Sequence, residues 1–130
     1  MNKPKLVIFD LDGTLVDAYK AITTSFNYTM KELGLSPQDY NIIKMAVGWG
    51  DENLLRPFVP SKLLKKALFI YRNNHKWALL TYAKLYPYVI STLDYLKKKG
   101  YMLAVASNRP TKFSLILYDL FLSDLEPVPT

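Results

Sequence analysis

The sequence Lys-Leu-Val-Ile-Phe-Asp-Leu-Asp-Gly-Thr-Leu-Val-Asp, residues 5–17, decides the fold of this chain. Residues 6–9 form a continuous β-branched and aromatic run that is too short for a helix. Such a run is typical of a strand buried on both faces of a parallel sheet. The strand should end at Asp10, and Gly13 then turns the chain. In open α/β sheets the ligand crevice lies outside the carboxyl ends of the strands, so we expect Asp10 and Asp12 at its mouth.

A second apolar run with the same organisation lies much later in the chain. Residues 102–106, Met-Leu-Ala-Val-Ala, predict another buried strand, which ends at the polar turn 107–110. A helix that starts at Pro87 and stops at Gly100 should precede this strand. Two such strands with helices around them predict an α/β fold with a partial, Rossmann-like parallel sheet.

The stretch between the two strands has the pattern of helices. Apolar residues recur there at helical spacing, and Tyr71 and Trp77 are among those expected to face inward. A Ser-Pro pair predicts the start of the second helix. The predicted helices run from about Tyr19 to Gly34, from Ser36-Pro37 to about Val47, from Asp51 to about Phe58 and from Ser61 to Leu80.

Residues 10–17, Asp-Leu-Asp-Gly-Thr-Leu-Val-Asp, resemble the first signature of the haloacid dehalogenase-like hydrolases, most of which are magnesium-dependent phosphatases. The resemblance implies that Asp10 attacks phosphorus to give an aspartyl-phosphate. It also implies that Asp12 protonates the leaving oxygen and later activates the hydrolytic water, and that Mg²⁺ is held by the Asp10 side chain and the Asp12 carbonyl. A carboxylate is a competent nucleophile, a second carboxyl group can act as acid and then base, and Mg²⁺ prefers oxygen ligands.

The same resemblance implies a set of residues that bind the phosphate. In the first turn these are Leu11, Gly13 and Thr14. Ser107 and Asn108 look like the second signature of the family, a hydroxyl and an amide that hold the transferring phosphoryl oxygens. The alternative is that both strand ends carry ordinary turns, which their shared strand, turn and helix context disfavours.

Many members of the family carry a small helical cap directly after the first strand, and the cap selects the substrate. By this resemblance residues 1–17 and 87–130 form an incomplete α/β catalytic core, and residues 18–86 form the cap. The helical pattern between the two strands agrees with this division of the chain.

One loop of the expected cap resembles the phosphoglycolate phosphatase branch of the family. It contains Gly48, Trp49 and Gly50, and a Gly-x-Gly turn brings backbone close to a ligand. Arg56 follows shortly and is a candidate to meet a substrate carboxylate. The alternative is a plain connection between helices with Trp49 packed in the core, and the sequence favours neither.

The chain departs from the family pattern after the second signature. Relatives have a lysine that neutralises the aspartyl-phosphate region and an acidic pair that completes the magnesium site. Lys112 lies too close to the second signature to be that lysine, and Asp124 and Glu126 lack a preceding apolar strand. Residues 123–130 predict a disordered tail. We therefore expect a truncated product, or a chain completed by a second polypeptide, whose first strand keeps an unpaired edge that invites self-association.

Composition limits the other classes of function. The chain has 130 residues, half of them hydrophobic, which fits one domain with a real core. It has no apolar run that could span a bilayer and no signal peptide, so we expect a cytoplasmic protein without a membrane partner. The absence of cysteine excludes disulfides and thiolate metal sites. The net charge of +6 is spread out, which indicates solvated helix faces rather than a nucleic-acid surface. His75, the only histidine, lies in a polar stretch and is expected at the surface.

The sequence thus predicts a magnesium-dependent phosphatase that hydrolyses a small phosphorylated metabolite, similar to phosphoglycolate, through an aspartyl-phosphate. Three alternatives stay open. The missing lysine and acidic pair suggest an inactive remnant of such a phosphatase. A phosphosugar mutase would use the same phospho-aspartate, and the positive charge alone suggests a basic interaction module.

Overall fold

The computed structural model describes residues 5–122. Its strands and helices are, in chain order, β1 (Leu6–Asp10), β2 (Val16–Asp17), α1 (Tyr19–Glu32), α2 (Tyr40–Met45), α3 (Asp51–Leu55), α4 (Leu64–Tyr82), β3 (Lys84–Leu85), α5 (Val89–Lys98), β4 (Met102–Ala106) and α6 (Thr111–Phe121), with short 3₁₀ turns at Arg56–Phe58 and Ser61–Leu63.

The centre of the fold is a parallel pair of strands. β1 pairs with β4 in a register that runs from Leu6 opposite Met102 to Asp10 opposite Ala106. Both strands were predicted, and β4 has the predicted bounds, but the prediction that β4 is buried is wrong, since Leu103 is the only one of its five residues that is buried. Parallel pairing brings the carboxyl ends of both strands to the same side, where Asp10 and the turn after Ala106 meet. The predicted α/β class with a partial parallel sheet is therefore confirmed.

A second, short pair of strands joins the two ends of the helical stretch between β1 and β4. In the antiparallel pair of β2 and β3, Val16 lies opposite Leu85 and Asp17 lies opposite Lys84. The chain therefore leaves the sheet region and returns to it at one place. We call residues 18–86, which contain α1 to α4, the helical segment.

The prediction that the first strand is buried on both faces is wrong for the described residues. Burial alternates along β1, and Leu6 and Ile8 are 55% and 60% exposed. Val7 and Phe9, on the other face, pack against the core. The reason is that this sheet has only two strands within residues 5–122, and the described helices cover one of its faces. Self-association through this region stays a prediction.

The helices match the predicted segments, with differences at two starts. The second helix begins at Tyr40, not at Ser36-Pro37. Two hydrogen bonds to the Asn27 side chain, 2.9 and 3.0 Å long, hold the backbone of Gln38 and keep this stretch out of the helix. The helix predicted from Pro87 begins at Val89, since Tyr88 has a left-handed φ of 67°.

The core lies between α1 and α4 and continues under the sheet. Ile22, Phe26 and Met30 of α1 are buried, as their spacing predicts. Tyr71 of α4 is buried too, but Trp77 is 54% exposed, so its predicted inward position is wrong.

The predictions for the tail, Asp124 and Glu126 lie outside the described residues. None of the helices in residues 5–122 is long and apolar enough to cross a membrane.

Candidate active site

A cleft of about 200 Å³ lies at the carboxyl ends of β1 and β4, with the helical segment on its other side. Two loops form its floor, which we call the first loop (residues 11–15, after β1) and the second loop (residues 107–110, after β4). The cleft is lined by Asp10, Asp12, Tyr19, Ile22, Val47, Gly48, Gly50, Asp51, Leu54, Tyr71, His75, Ser107, Asn108, Arg109, Pro110 and Phe113.

Asp10 is the last residue of β1 and faces the cleft. Its Oδ1 accepts a hydrogen bond of 2.9 Å from the backbone N–H of Leu11, which fixes the plane of the carboxylate. Its other carboxylate oxygen accepts no hydrogen bond from the described residues. One oxygen of Asp10 is thus available to a molecule in the cleft.

Asp12 is held by Arg109 of the second loop. The Arg109 Nε donates to Asp12 Oδ2 at 3.1 Å, and Nη2 donates to Oδ1. The two side chains are 6% and 17% exposed, so the pair is largely removed from water. A guanidinium that donates two parallel hydrogen bonds fixes both the position and the plane of a carboxylate.

His75 is a site residue that the sequence interpretation missed. The prediction that it lies at the surface is wrong, because the residue is 1% exposed. Its Nδ1 lies 2.8 Å from the Ser25 Oγ, and its Nε2 lies 2.8 Å from the Arg109 Nη1. Its ring stacks on Tyr71, with centroids 4.7 Å apart, and meets the edge of Phe113 at 4.9 Å.

The protonation of His75 follows from this surrounding. Burial, and secondly the positive charge of Arg109, lower its pKa from 6.5 to about 3. The imidazole is therefore neutral near pH 7. Because an arginine can only donate, the Nε2 of His75 must accept and its Nδ1 must carry the hydrogen.

The second signature contacts the helical segment. The Asn108 amide donates a hydrogen bond of 2.6 Å to the Gly48 carbonyl oxygen. At Gly50, with a φ of +87°, a Cβ would lie 3.1 Å from the Asn108 carbonyl oxygen. Ser107 Oγ accepts from the Arg109 backbone N–H at 3.1 Å. Ser107, Asn108, Gly48 and Gly50 therefore come together at the cleft.

The backbone of the first loop is bonded mostly to near neighbours in sequence, and its Leu15 carbonyl accepts from the Tyr86 N–H at 3.2 Å. Leu11 is buried, and neither Gly13 nor Thr14 lines the cleft. The Gly13 N–H donates to the Val16 carbonyl at 3.0 Å and the Thr14 N–H to that of Leu11 at 3.4 Å. Gly13 has a φ of +80°, and a Cβ there would lie 2.4 Å from the Tyr19 hydroxyl.

Trp49 and Arg56 are not brought to the cleft. Trp49 is 75% exposed, which contradicts the alternative that it packs in the core. Arg56 pairs with Glu52 at 2.9 Å on the exposed surface.

Asp51 is a further lining residue whose contacts the sequence did not indicate. Its two carboxylate oxygens accept hydrogen bonds of 2.8 and 2.9 Å from Arg72 of α4. These bonds raise the pKa of Arg72. The pair holds α3 against α4 beside the cleft.

The oxygen donors around Asp10 determine whether Mg²⁺ fits. Within residues 5–122 there is no group of three or more His, Cys, Asp or Glu that could hold a metal ion. Asp10 supplies a carboxylate oxygen at the cleft, and the family resemblance adds the main-chain carbonyl of Asp12, which also lines the cleft. Mg²⁺ is commonly held by one or two carboxylates together with waters and substrate phosphates. The residues present thus fit Mg²⁺ as a site with few protein ligands.

Comparison with known proteins gives consistent matches. Residues 7–121 match the family model described as haloacid dehalogenase-like hydrolase. A phosphoglycolate phosphatase of Aquifex aeolicus (strain VF5) is 34% identical over 116 residues, with 89% of this chain and 54% of that protein covered.

Solved structures with the same arrangement are also found. One described as a predicted phosphoglycolate phosphatase from Haemophilus somnus 129PT has a TM-score of 0.83 at 30% identity, covering 92% of this chain and 58% of that one. A haloacid dehalogenase-like family protein from Streptococcus pneumoniae has a TM-score of 0.77 at 32% identity, covering 90% and 54%. The chain spans about half the length of the curated relatives it matches.

Proposed function

Because this chain belongs to the haloacid dehalogenase-like hydrolase family, we propose that its cleft hydrolyses a small phosphate monoester, with phosphoglycolate as the first candidate. One observation carries the proposal. Asp10 lies at the carboxyl end of β1 with one carboxylate oxygen unengaged by the described residues, and Asp12 lines the same cleft two residues later.

In the proposed reaction Asp10 is the nucleophile. Its carboxylate oxygen bonds to phosphorus as the bond between phosphorus and the leaving oxygen breaks, and Asp12 gives its proton to that oxygen. In the second half, Asp12 takes a proton from the water that attacks the aspartyl-phosphate, which frees Asp10 and inorganic phosphate. Both oxygens of Asp12 accept from Arg109 here, so one must leave Arg109 and take up a proton from water before it can act as the acid, while Arg109 keeps the other in place.

The second loop would hold the phosphoryl group. Ser107 and Asn108 line the cleft, and Arg109 supplies a positive charge beside them. Preorganised donors and charges of this kind stabilise the negative charge of a phosphoryl group in transfer.

We propose that Asp10 and the Asp12 carbonyl hold Mg²⁺ in the working protein. When bound, the ion would offset the charge of the phosphate and of the nucleophile.

The helical segment would act as the cap. Its two ends are paired in β2 and β3, and it contacts the second loop through Gly48 and His75. Closure over the cleft would exclude water and bring the loop of Trp49 close to a bound ester. The described contacts of Arg56 do not support the role in substrate recognition predicted for it.

The alternative is a protein that keeps the fold but does not turn over. Its supporting observation is that Arg109 engages both carboxylate oxygens of Asp12, so neither is available to a substrate in this arrangement. Such a protein would bind phosphate at the second loop without forming the aspartyl-phosphate.

Phosphate release separates the two functions. We would measure it with Mg²⁺ from phosphoglycolate and from an aryl phosphate, for the wild type and for Asp10→Asn. Release should fall by roughly 1,000-fold or more in this variant because the nucleophile is lost. Asp119→Asn is the matched control, since Asp119 is exposed on α6. A folded wild type without release would support the non-catalytic alternative, and equal release by Asp10→Asn would exclude Asp10 as the nucleophile.

A further inference from the structure

Arg109 is anchored on two sides by different parts of the fold. Its Nε and Nη2 donate to Asp12 in the first loop, and its Nη1 donates to the Nε2 of His75 in α4. A guanidinium is planar, so contacts at all three nitrogens leave it one orientation. The orientation of Asp12 thus depends on a residue of the helical segment.

His75 is itself fixed from α1. Since its Nε2 accepts from Arg109, its Nδ1–H donates to the Ser25 Oγ, and Ser25 is fully buried. Tyr71 and Phe113 hold the ring by stacking and edge contact. A hydrogen-bonded series therefore runs from Ser25 through His75 and Arg109 to Asp12.

We propose that His75 is a positioning residue for the reaction: its neutral, Nδ1-protonated ring holds Arg109 against Asp12 when the helical segment lies over the cleft. The inference rests on the proposed function, in which Asp12 is the acid and base. If the helical segment moves away, Arg109 loses the Nε2 acceptor, and among the described side chains only Asp12 then orients its guanidinium. Closure of the helical segment is in this way coupled to the orientation of Asp12.

Two substitutions separate positioning from packing. His75→Gln keeps an oxygen that can accept from Arg109, whereas His75→Phe keeps the ring and its contacts but has no acceptor. Positioning predicts that kcat falls roughly 10-fold in His75→Phe with KM little changed, and that His75→Gln retains most of the activity. A purely packing role predicts the reverse order, which would overturn the proposal.

A measurement that needs no enzymatic activity tests the role of His75 independently of the proposed function. His75 is the only histidine in the chain, so every imidazole signal in a ¹H–¹⁵N spectrum belongs to it. We expect the Nδ1–H tautomer in the wild type and a mixture of tautomers in Arg109→Met. Lys98→Met, on the exposed end of α5, is the control and should leave the spectrum unchanged. An Nε2–H tautomer in the wild type would overturn the proposal.

The ¹³Cγ shift of Asp12, assigned through its loss in Asp12→Asn, completes the test. It should move in His75→Phe and stay near its wild-type value in His75→Gln. This chemical shift can be measured even if the wild type releases no phosphate. In that case the proposed function fails, but the shift still shows whether His75 is coupled to Asp12. Identical Asp12 shifts in both variants would show that His75 does not orient Asp12.

Discussion

The first and second loops follow neighbouring parallel strands, yet they are held in opposite ways. The first loop bonds its backbone mostly to near neighbours, from Gly13 to Val16 and from Thr14 to Leu11, with one distant bond from Tyr86 to Leu15. The second loop bonds outward, from Asn108 to Gly48 and from Arg109 to His75 and Asp12. The difference shows that Asp10, the proposed nucleophile, precedes a turn determined mostly by local contacts, whereas the groups of the second loop are placed by residues distant in sequence.

Of the changes considered, removal of the Arg109 side chain should have the largest effect on stability, because it breaks the contacts of the second loop with Asp12 and His75. Arg109→Ala leaves the partly buried Asp12 and the buried His75 Nε2 without a partner. We expect a loss of about 3 kcal/mol in the free energy of unfolding, measured in urea. Arg56→Ala, which removes an exposed pair with Glu52, should cost no more than about 0.5 kcal/mol. Equal losses in the two variants would mean that the second loop is not held by Arg109.

Acid should weaken the same contacts through His75. Its pKa is about 3 in the folded protein and 6.5 in the unfolded chain, so between these values only the unfolded chain binds the proton. The contribution of His75 to the free energy of unfolding is therefore complete above pH 6.5. As the pH falls below 6.5 it is lost, by up to about 1.4 kcal/mol per pH unit. Besides Arg109, the charged or titratable groups on this side are Tyr71, whose pKa burial raises, and Asp12 beyond the guanidinium.

Unfolding in urea between pH 7 and 4.5 measures this effect. The comparison is with His75→Gln, which keeps the acceptor and has no imidazole, so the difference in slope belongs to His75. A parallel pH dependence in both proteins would show that His75 is not buried as a neutral ring.

The effect of a substitution at Gly13 in the first loop should depend on one nearby side chain, that of Tyr19. Gly13→Ala places a Cβ 2.4 Å from the Tyr19 hydroxyl at a φ of +80°. We expect a loss of about 2 kcal/mol in the free energy of unfolding. In a Tyr19→Phe background the nearest ring atom is 3.4 Å away, so part of the loss should be recovered. Tyr19→Phe alone is the control, and a loss that is the same in both backgrounds would place the strain in the backbone alone.

The sequence could predict the first loop because its signals are local. The apolar run before Asp10 and the glycine after Asp12 place the strand and the turn without reference to other parts of the chain. The same holds for β4, whose bounds follow from its own five residues. The exposure of Leu6 and Ile8 could not be predicted in this way, because burial of a strand face depends on how many strands and helices surround it.

The second loop shows what local patterns leave out. His75 lies among Asn73, Asn74 and Lys76, and this polarity suggested the surface. Its spacing carried the opposite signal, since the buried Tyr71 and Leu79 lie four residues to either side on the same face of α4. That His75 meets Arg109, 34 positions later, depends on how α4 packs against α6, which begins two residues after Arg109, and no local pattern contains this.

A comparison of alanine substitutions at Gly48 and Gly50, which has the smallest expected effect, tests how closely the helical segment lies on the second loop. Gly48 and Gly50 both have positive φ, 129° and 87°, so alanine is strained at either. A Cβ at Gly48 would meet nothing within 4 Å, whereas one at Gly50 would lie 3.1 Å from the Asn108 carbonyl oxygen. Gly50→Ala should therefore cost about 0.5 kcal/mol more than Gly48→Ala in the free energy of unfolding. Equal costs would mean that the loop stands away from Asn108 in solution, and the contrast between the two loops would then rest on Arg109 alone.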